Sequence, residues 1–122
     1  MSSLSATIGS ALIANYAATK AYNLVLAEGL WEEMRTRGVD VMACCPSAVT
    51  TPNYVASAPR KKSPGSMTAA AVVSETLDKL GTTPSLIPGR SNRLSAFALR
   101  RVMPRKSAIS MMGSVMRGMY AK

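Results

Sequence analysis

The stretch Arg37-Gly38-Val39-Asp40-Val41-Met42-Ala43-Cys44-Cys45-Pro46 decides the fold of this 122-residue chain. Its apolar part, Val39 to Cys45, contains β-branched residues and is typical of a parallel-sheet strand buried on both faces. Gly38 can take the left-handed conformation that ends a helix, and Pro46 closes the strand. A helix, a glycine and a buried strand make half of a β-α-β repeat, so the stretch predicts an α/β fold.

The residues before Gly38 predict the longest helix of the chain, from about Ile13 to Arg37. Good helix formers fill this segment, and side chains of one face recur at helical spacing. They are Tyr16, Lys20, Asn23, Ala27, Leu30 and Met34. The small, polar residues 2–11, interrupted by Gly9, predict a loop ahead of this helix.

The second half of the chain predicts further alternation of loop, helix and strand. Residues 50–65 contain three prolines and the basic run Arg60 to Lys62, which indicates an irregular loop. Ser66 or Thr68 can cap a helix that runs to Leu80 and ends at Gly81. Ser85 to Pro88 is a short strand candidate, and Asn92–Met103 and Lys106–Tyr120 predict basic amphipathic helices separated by Pro104.

Charge is distributed unevenly along the chain, whose formal net charge is +9. All six acidic residues lie at or before Asp78, and the basic residues that follow are expected to have no acidic partner. These are Arg90, Arg93, Arg100, Arg101, Arg105, Lys106, Arg117 and Lys122. The C-terminal third is therefore a basic segment.

The two cysteines, Cys44 and Cys45, are adjacent in the predicted strand and are expected to be small buried hydrophobes in a reducing compartment. No histidine accompanies them, so we expect no metal site. Neither a secretory signal nor an apolar run long enough to span a membrane is present in the sequence. These features predict a cytoplasmic protein.

Tyr16 and Lys20 lie four residues apart on the predicted helix, so their side chains share one face. A lysine ammonium beside a phenol favours the phenolate and makes it a usable proton carrier. An exposed Tyr and Lys at this spacing are common on helices, so the pair indicates a catalytic site only if the surrounding residues support it.

Those residues resemble the short-chain dehydrogenase/reductase family. Asn15-Tyr16-Ala17-Ala18-Thr19-Lys20-Ala21 matches the family's Tyr-x-x-x-Lys motif, and Ser3 lies thirteen residues before Tyr16, where the family places its catalytic serine. Cys45-Pro46-Ser47-Ala48-Val49-Thr50-Thr51 is similar to the family's Pro-Gly-x-x-x-Thr loop, with Ser47 in place of the usual glycine.

The resemblance implies NAD- or NADP-dependent interconversion of a small-molecule carbonyl and its alcohol. It implies that Tyr16 is the general acid/base, that Lys20 favours its phenolate and binds the nicotinamide ribose, and that Ser3 polarises the substrate carbonyl. Pro46, Val49 and Thr51 would line the nicotinamide site. Relatives of this family commonly pair through the long helix, which implies a homo-oligomer.

The resemblance covers only the C-terminal half of a doubly wound Rossmann-like parallel sheet. Residues 1–89 would form a partial catalytic domain and residues 90–122 a basic helical extension. No Gly-x-Gly-x-x-Gly turn follows a strand in these residues, so only the nicotinamide half of the cofactor has a predicted site. The chain is therefore expected to be a truncated product that is inactive alone.

Two non-enzymatic interpretations stay open. The basic tail, with Met103, Met111, Met112, Met116 and Met119 interspersed, could dock on an anionic membrane surface. Alternatively, the chain could serve only in oligomerisation. Nucleic acid is not an expected partner, because Phe97 and Tyr120 are the only aromatic residues of the tail.

Overall fold

The computed structural model describes residues 1–56 and 63–120. Its helices are α1 (Ala14–Arg35), α2 (Pro52–Ala56), α3 (Ala69–Lys79), α4 (Arg90–Phe97) and α5 (Arg105–Tyr120). The strands are β1 (Ala43–Cys44), β2 (Val49–Thr50), β3 (Met67–Thr68) and β4 (Ser85–Leu86). A 3-10 turn over Leu4–Thr7 and a π-helical segment over Ala98–Val102 complete the described elements.

One edge of β1 pairs in parallel with β4, as the two predicted strands require. The amide of Ala43 donates to the carbonyl of Pro84 at 2.9 Å, and that of Cys45 donates to Leu86 at 2.8 Å. The bonds continue past the two residues of the regular strand, so the extended segment is longer than its formal bounds. The structure thus confirms the C-terminal half of the strand predicted over Val39 to Cys45.

The other edge of β1 is occupied by the first residues of the chain. The amide of Ser2 donates to the Cys44 carbonyl at 2.7 Å, and the amide of Leu4 donates to Pro46 at 2.8 Å. Ser2 and Ser3 therefore lie beside β1 as an extended segment, and the 3-10 turn begins at Leu4. The prediction of a loop over residues 2–11 was wrong here, because the paired backbone and this turn give the segment defined structure.

Helices pack on both faces of β1, which confirms the doubly wound arrangement. Neighbouring residues of a strand point to opposite faces. The Cys44 sulfur lies 3.1 Å from the hydroxyl oxygen of Thr76 in α3, whereas Cys45 borders a cavity together with Leu24 and Val25 of α1. Both thiols are free and buried, as predicted, and burial raises the pKa of Cys45.

A second pair of parallel strands, β2 with β3, was not predicted. The prediction of an irregular loop over residues 50–65 was wrong where β2 ends and α2 begins. The Thr51 hydroxyl accepts a hydrogen bond from the amide of Tyr54 at 3.2 Å, and Pro52 stands at the first helical position, where a missing N–H costs nothing. The basic run Arg60 to Lys62 lies outside the described residues.

The predicted helix ends agree closely with the structure. Gly38 has a φ of +67°, after α1 has ended two residues earlier than the predicted Arg37. The Thr68 hydroxyl caps α3 by accepting from Ala71 at 3.3 Å, and Gly81 follows its end with a φ of +82°. The first tail helix is a regular α-helix only to Phe97 and continues as the π-helical segment.

The C-terminal helix α5 packs against the segment that precedes α1. Ala108, Gly113, Met116 and Met119 are its buried residues. A Cβ atom at Gly113 would lie 3.5 Å from the Cβ of Ala11, so the helix approaches that segment closely. Two of the methionines proposed for a membrane-facing surface are thus buried inside the protein. Within the described residues, no helix is long and apolar enough to cross a membrane.

The ion pair between Glu75 of α3 and Arg93 of α4 corrects one expectation from the charge pattern, since Arg93 does have an acidic partner. The Glu75 carboxylate also accepts the amide of Gly89 at 2.9 Å, and Arg93 donates to the Ile87 carbonyl at 3.1 Å. The hydrogen bond from Arg93, followed by that from Gly89, lowers the pKa of Glu75. Together these bonds fasten α3 to the segment after β4.

We expect Glu75→Gln to destabilise the protein by about 1 kcal/mol at pH 7, since it removes a partly exposed ion pair. A carboxyl whose pKa is lowered by folding contributes stability above its unfolded value, and this contribution is lost as the pH falls through the folded value. The difference between wild type and variant should therefore begin to shrink near the ordinary glutamate pKa of about 4.3 and go on shrinking as the pH falls further. Urea unfolding between pH 3 and 7 measures it.

Glu33→Gln is the matched control, because Glu33 is exposed on α1 and forms no ion pair within the described residues. Its effect should be small at every pH. A Glu75→Gln penalty that stays constant from pH 3 to 7 would contradict an electrostatic role for the pair.

Asn92, at the start of α4, joins three segments through one buried amide. Its side-chain nitrogen lies 3.0 Å from the Ser47 hydroxyl oxygen, from the Gly65 carbonyl and from the Pro88 carbonyl. The residue is 4% exposed. The Ser47 hydroxyl also donates to the Gly65 carbonyl, which closes the cluster. Because each partner follows or precedes a strand, Asn92 fixes the loops at one end of the sheet.

Replacement of Asn92 by Ala should lower the free energy of unfolding by about 2–4 kcal/mol, because the buried Pro88 carbonyl loses its donor and removal of a buried side chain leaves a cavity. Denaturant unfolding measures this loss. Asn53→Ala, at an exposed position of α2, should change the free energy by less than about 0.5 kcal/mol. Equal effects of the two substitutions would show that the cluster does not stabilise the fold.

Candidate active site

Tyr16 and Lys20 lie in the first two turns of α1 and are in contact. The Lys20 nitrogen is 5.5 Å from the centre of the Tyr16 ring, within the range of a cation-π interaction. It also donates to the Met1 carbonyl at 3.4 Å. Tyr16 is 49% exposed, and no hydrogen bond to its hydroxyl is formed within the described residues. The phenol is therefore available to a ligand.

Ser3 lies at the end of the extended segment that pairs with β1, where the 3-10 turn begins. Its oxygen accepts hydrogen bonds from the Ser5 amide at 3.2 Å and from the Ser5 hydroxyl at 2.9 Å. Both bonds use lone pairs of the oxygen, so the hydroxyl hydrogen of Ser3 is free to donate. This arrangement orients the Ser3 hydroxyl as a donor.

Ser2, which the sequence did not single out, ties the strand end to the helix. Its hydroxyl donates to the Lys20 carbonyl at 2.7 Å, and the residue is 3% exposed. The Lys20 ammonium in turn donates to the Met1 carbonyl, so a second hydrogen bond joins α1 to the first residues of the chain. Ser2 and Lys20 therefore hold residues 1–3 against α1. The adjacency of two serines at the strand end is the only signal that could have pointed to this role.

The residues predicted to line the nicotinamide site follow β1. Pro46 is buried, and its carbonyl accepts the amide of Leu4, which joins it to the segment that carries Ser3. Val49 lies in β2, and the hydroxyl of Thr51 caps α2 while its hydrogen stays free to donate. Ser47, where the resemblance expected glycine, does not have a positive φ, so serine fits this backbone without strain.

A family model described as short chain dehydrogenase matches residues 1–62, a span that contains all of these residues. The chain belongs to the short-chain dehydrogenase family. Members of this family generally use NAD or NADP. The match confirms the family resemblance that the Tyr16 and Lys20 motif indicated.

A comparison with solved structures places this short-chain dehydrogenase near a protein described in a study of 7β-hydroxysteroid dehydrogenase stereoselectivity. The TM-score is 0.80 at 26% sequence identity. The match covers 91% of this chain and 45% of the other, so the chain spans less than half the length of that structure. A search of curated proteins gave no match. The comparison confirms a partial Rossmann-like fold.

A cavity of about 1010 Å³ is lined by residues of α1, α3 and α4 and by Thr7, Arg100 and Arg101. Leu24, Val25, Leu86 and Phe97 supply apolar parts of its wall. Ser3, Tyr16 and Lys20 are not among the described residues that line it. The tyrosine-lysine pair instead stands at the surface, where α1 begins. Among the described residues, no group of His, Cys, Asp or Glu side chains could hold a metal ion.

Leu12 enters α1 with strained backbone geometry, four residues before Tyr16. Its φ of +66° is unfavourable for a residue with a Cβ atom, and its side chain is 61% exposed. Leu12→Gly removes a strain of about 1–2 kcal/mol, and the added freedom of the unfolded chain offsets part of this gain. We expect a net stabilisation of about 0.5–1 kcal/mol, measured by thermal or urea unfolding.

Leu94→Gly is the matched control, because Leu94 is a similarly exposed leucine inside α4. There glycine should destabilise by about 1 kcal/mol, the usual cost in a helix interior. If both substitutions destabilised the protein equally, the φ of Leu12 would store no strain.

Proposed function

We propose that this chain carries the proton-transfer half of an NAD- or NADP-dependent oxidoreductase that interconverts a small-molecule carbonyl and its alcohol. The contact between Lys20 and Tyr16 on α1, beside the strand end that bears Ser3, carries the proposal. Membership of the short-chain dehydrogenase family supports it. The individual roles of these three residues are part of the proposal.

The donor set suits the nicotinamide end of the cofactor. An ammonium, a phenol and the hydroxyls of Ser3 and Thr51 can bind ribose hydroxyls and a carboxamide. Lys20 and Tyr16 would hold the ribose, and Pro46, Val49 and Thr51 would border the nicotinamide ring. When bound, the nicotinamide supplies or accepts the hydride. The 122 residues contain no glycine-rich turn for the pyrophosphate, so they fit only this half.

The side chains of the chain itself have separate tasks. Ser3 donates its free hydroxyl hydrogen to the substrate oxygen and holds it beside Tyr16. Tyr16 donates its proton to that oxygen during reduction and accepts it during oxidation. The positive charge of Lys20, near the ring, stabilises the phenolate that Tyr16 becomes after it gives up the proton.

We also propose that activity requires further polypeptide that supplies the rest of the sheet. The chain spans 45% of the length of the similar hydroxysteroid dehydrogenase structure. In α1 only Ala17 is buried, whereas Tyr22, Val25 and Leu26 are 67%, 66% and 45% exposed. Such an apolar helix face is available to other polypeptide, including a second copy in a homo-oligomer. Steroids are one candidate substrate class, since the similar structure is a hydroxysteroid dehydrogenase.

The proposal predicts that the 122-residue chain, preceded by the N-terminal half of a complete family member, oxidises or reduces a hydroxysteroid or ketone with NAD(H) or NADP(H). Tyr16→Phe in this chimera should lower kcat/KM by roughly 10²–10⁴-fold, the usual contribution of a general acid/base. Initial rates followed by cofactor absorbance measure the loss.

Tyr22→Phe is the matched control, since Tyr22 is an exposed tyrosine of the same helix. It should leave kcat/KM within about twofold of the parent. Saturation-transfer NMR of the 122-residue chain with each reduced cofactor separates binding from turnover, and Lys20→Ala should abolish the nicotinamide signals. An active chimera in which Tyr16→Phe and Tyr22→Phe behave alike would contradict the role given to Tyr16.

A further inference from the structure

Three arginines converge on a small cavity beside the candidate active site. Arg100 and Arg101 come from the π-helical segment, and Arg105 comes from the start of α5. The cavity has a volume of about 330 Å³ and is completed by Thr7, Ile8, Leu99 and Met103. No acidic residue lines it, whereas Glu28 and Glu75 line the larger cavity that Arg100 and Arg101 also border. This volume lies at the lower end of the range for small-molecule pockets.

These arginines have no acidic partner in the described part of the chain. The two ion pairs found there are Arg35 with Glu32 and Arg93 with Glu75. Three arginines at one exposed cavity bring like charges together, because the charge of arginine cannot be removed by deprotonation. An anion in the cavity would be attracted by all three arginines and would offset the repulsion among them.

The position of Arg105 adds a second, independent argument. It begins α5, a helix of 16 residues whose first turn contains no acidic residue. The helix dipole makes this end positive and favours anions, yet Arg105 and Lys106 place two cations there. The sequence thus opposes the local electrostatic preference at the point where the cavity lies. The positive potential at this helix end has no acidic partner within the described residues, and it favours a bound anion.

We propose that Arg100, Arg101 and Arg105 form a binding site for a phosphate group. The planar guanidinium fork matches phosphate oxygens in a bidentate manner, and the unpaired backbone N–H groups at the start of a helix favour anions. The phosphate belongs either to a small molecule or to a lipid headgroup. The two sources share the same recognition chemistry, and the experiment distinguishes them.

The site adjoins the segment that carries Ser3. Thr7, which lines the cavity, ends the 3-10 turn that Ser3 caps, and its hydroxyl donates to the Leu4 carbonyl at 2.8 Å. A phosphate held by the arginines would therefore rest against the turn that orients the Ser3 hydroxyl. This placement concerns ligand binding alone and does not depend on the proposed oxidoreductase activity.

The test is a titration of the ¹⁵N-labelled 122-residue chain with inorganic phosphate against chloride at constant ionic strength, so that screening stays fixed. We expect saturable amide shifts at Thr7, Ile8 and residues 99–105, with a Kd of roughly millimolar order for this small ion. Shifts spread evenly over all basic residues, or none at these positions, would overturn the proposal without any variant.

The triple variant R100Q/R101Q/R105Q should weaken phosphate binding by about tenfold or more. R37Q/R90Q/R117Q removes the same charge from exposed positions that do not line the cavity, and it should change Kd by less than about threefold. Circular dichroism confirms that both variants fold. Equal weakening in the two variants would mean a diffuse charge effect and would overturn the site.

Co-sedimentation with vesicles of phosphatidylcholine containing phosphatidic acid identifies the source of the phosphate. The phosphate belongs to a lipid headgroup if the chain binds these vesicles but not vesicles of phosphatidylcholine alone. This binding should be lost in the first variant and kept in the second. Absence of vesicle binding together with saturable phosphate shifts assigns a small molecule. Cofactor turnover enters neither readout, so failure of this site and failure of the proposed oxidoreductase are distinguishable.

Discussion

The parallel hydrogen bonding of β1 on both of its edges is the constraint on which the rest of the structure depends. One edge binds residues 2–4 and the other binds β4, so a segment of about four residues is central to a three-segment sheet. Parallel neighbours cannot be joined by tight turns, and each connection must leave the sheet and return. The connections are α1 on one side of the strand and the segment containing α3 on the other.

The same constraint positions the candidate catalytic residues. Ser3 stands where the first extended segment ends, and the crossing helix α1 must begin soon afterwards to reach the start of β1. Tyr16 and Lys20 therefore come from the helix turns nearest to that strand end. The bonds of Ser2 and Lys20 across this junction fix the distance between helix and strand. Backbone pairing anchors the strand end, and side-chain hydrogen bonds tie the start of α1 to it, so the candidate residues are held in place.

The elements that the sequence predicted are those whose signals are local. Gly38 and Gly81 end helices because of their own conformational freedom, and Thr68 caps α3 through a neighbouring amide. The pairing of β2 with β3 escaped prediction because strands of two residues show no periodicity and their partners lie far apart in sequence. The Glu75 and Arg93 pair escaped for a related reason, since 18 residues separate partners that the fold brings together. The motif containing Tyr16 was visible, whereas the anchoring role of Ser2 required coordinates.

The buried amide of Asn92 carries a consequence for how this protein can change over evolution. Ser47 and Gly65, which it joins, are the two ends of a chain excursion, and the direct bond between them closes that excursion at its base. Residues inside a loop that is fastened at its neck can be exchanged, added or removed at small cost to the remainder of the fold. New ligand preferences can therefore arise between these two positions, provided that Val49 and Thr51 are kept, while β1, β4, α1 and the Tyr16 and Lys20 pair are inherited unchanged.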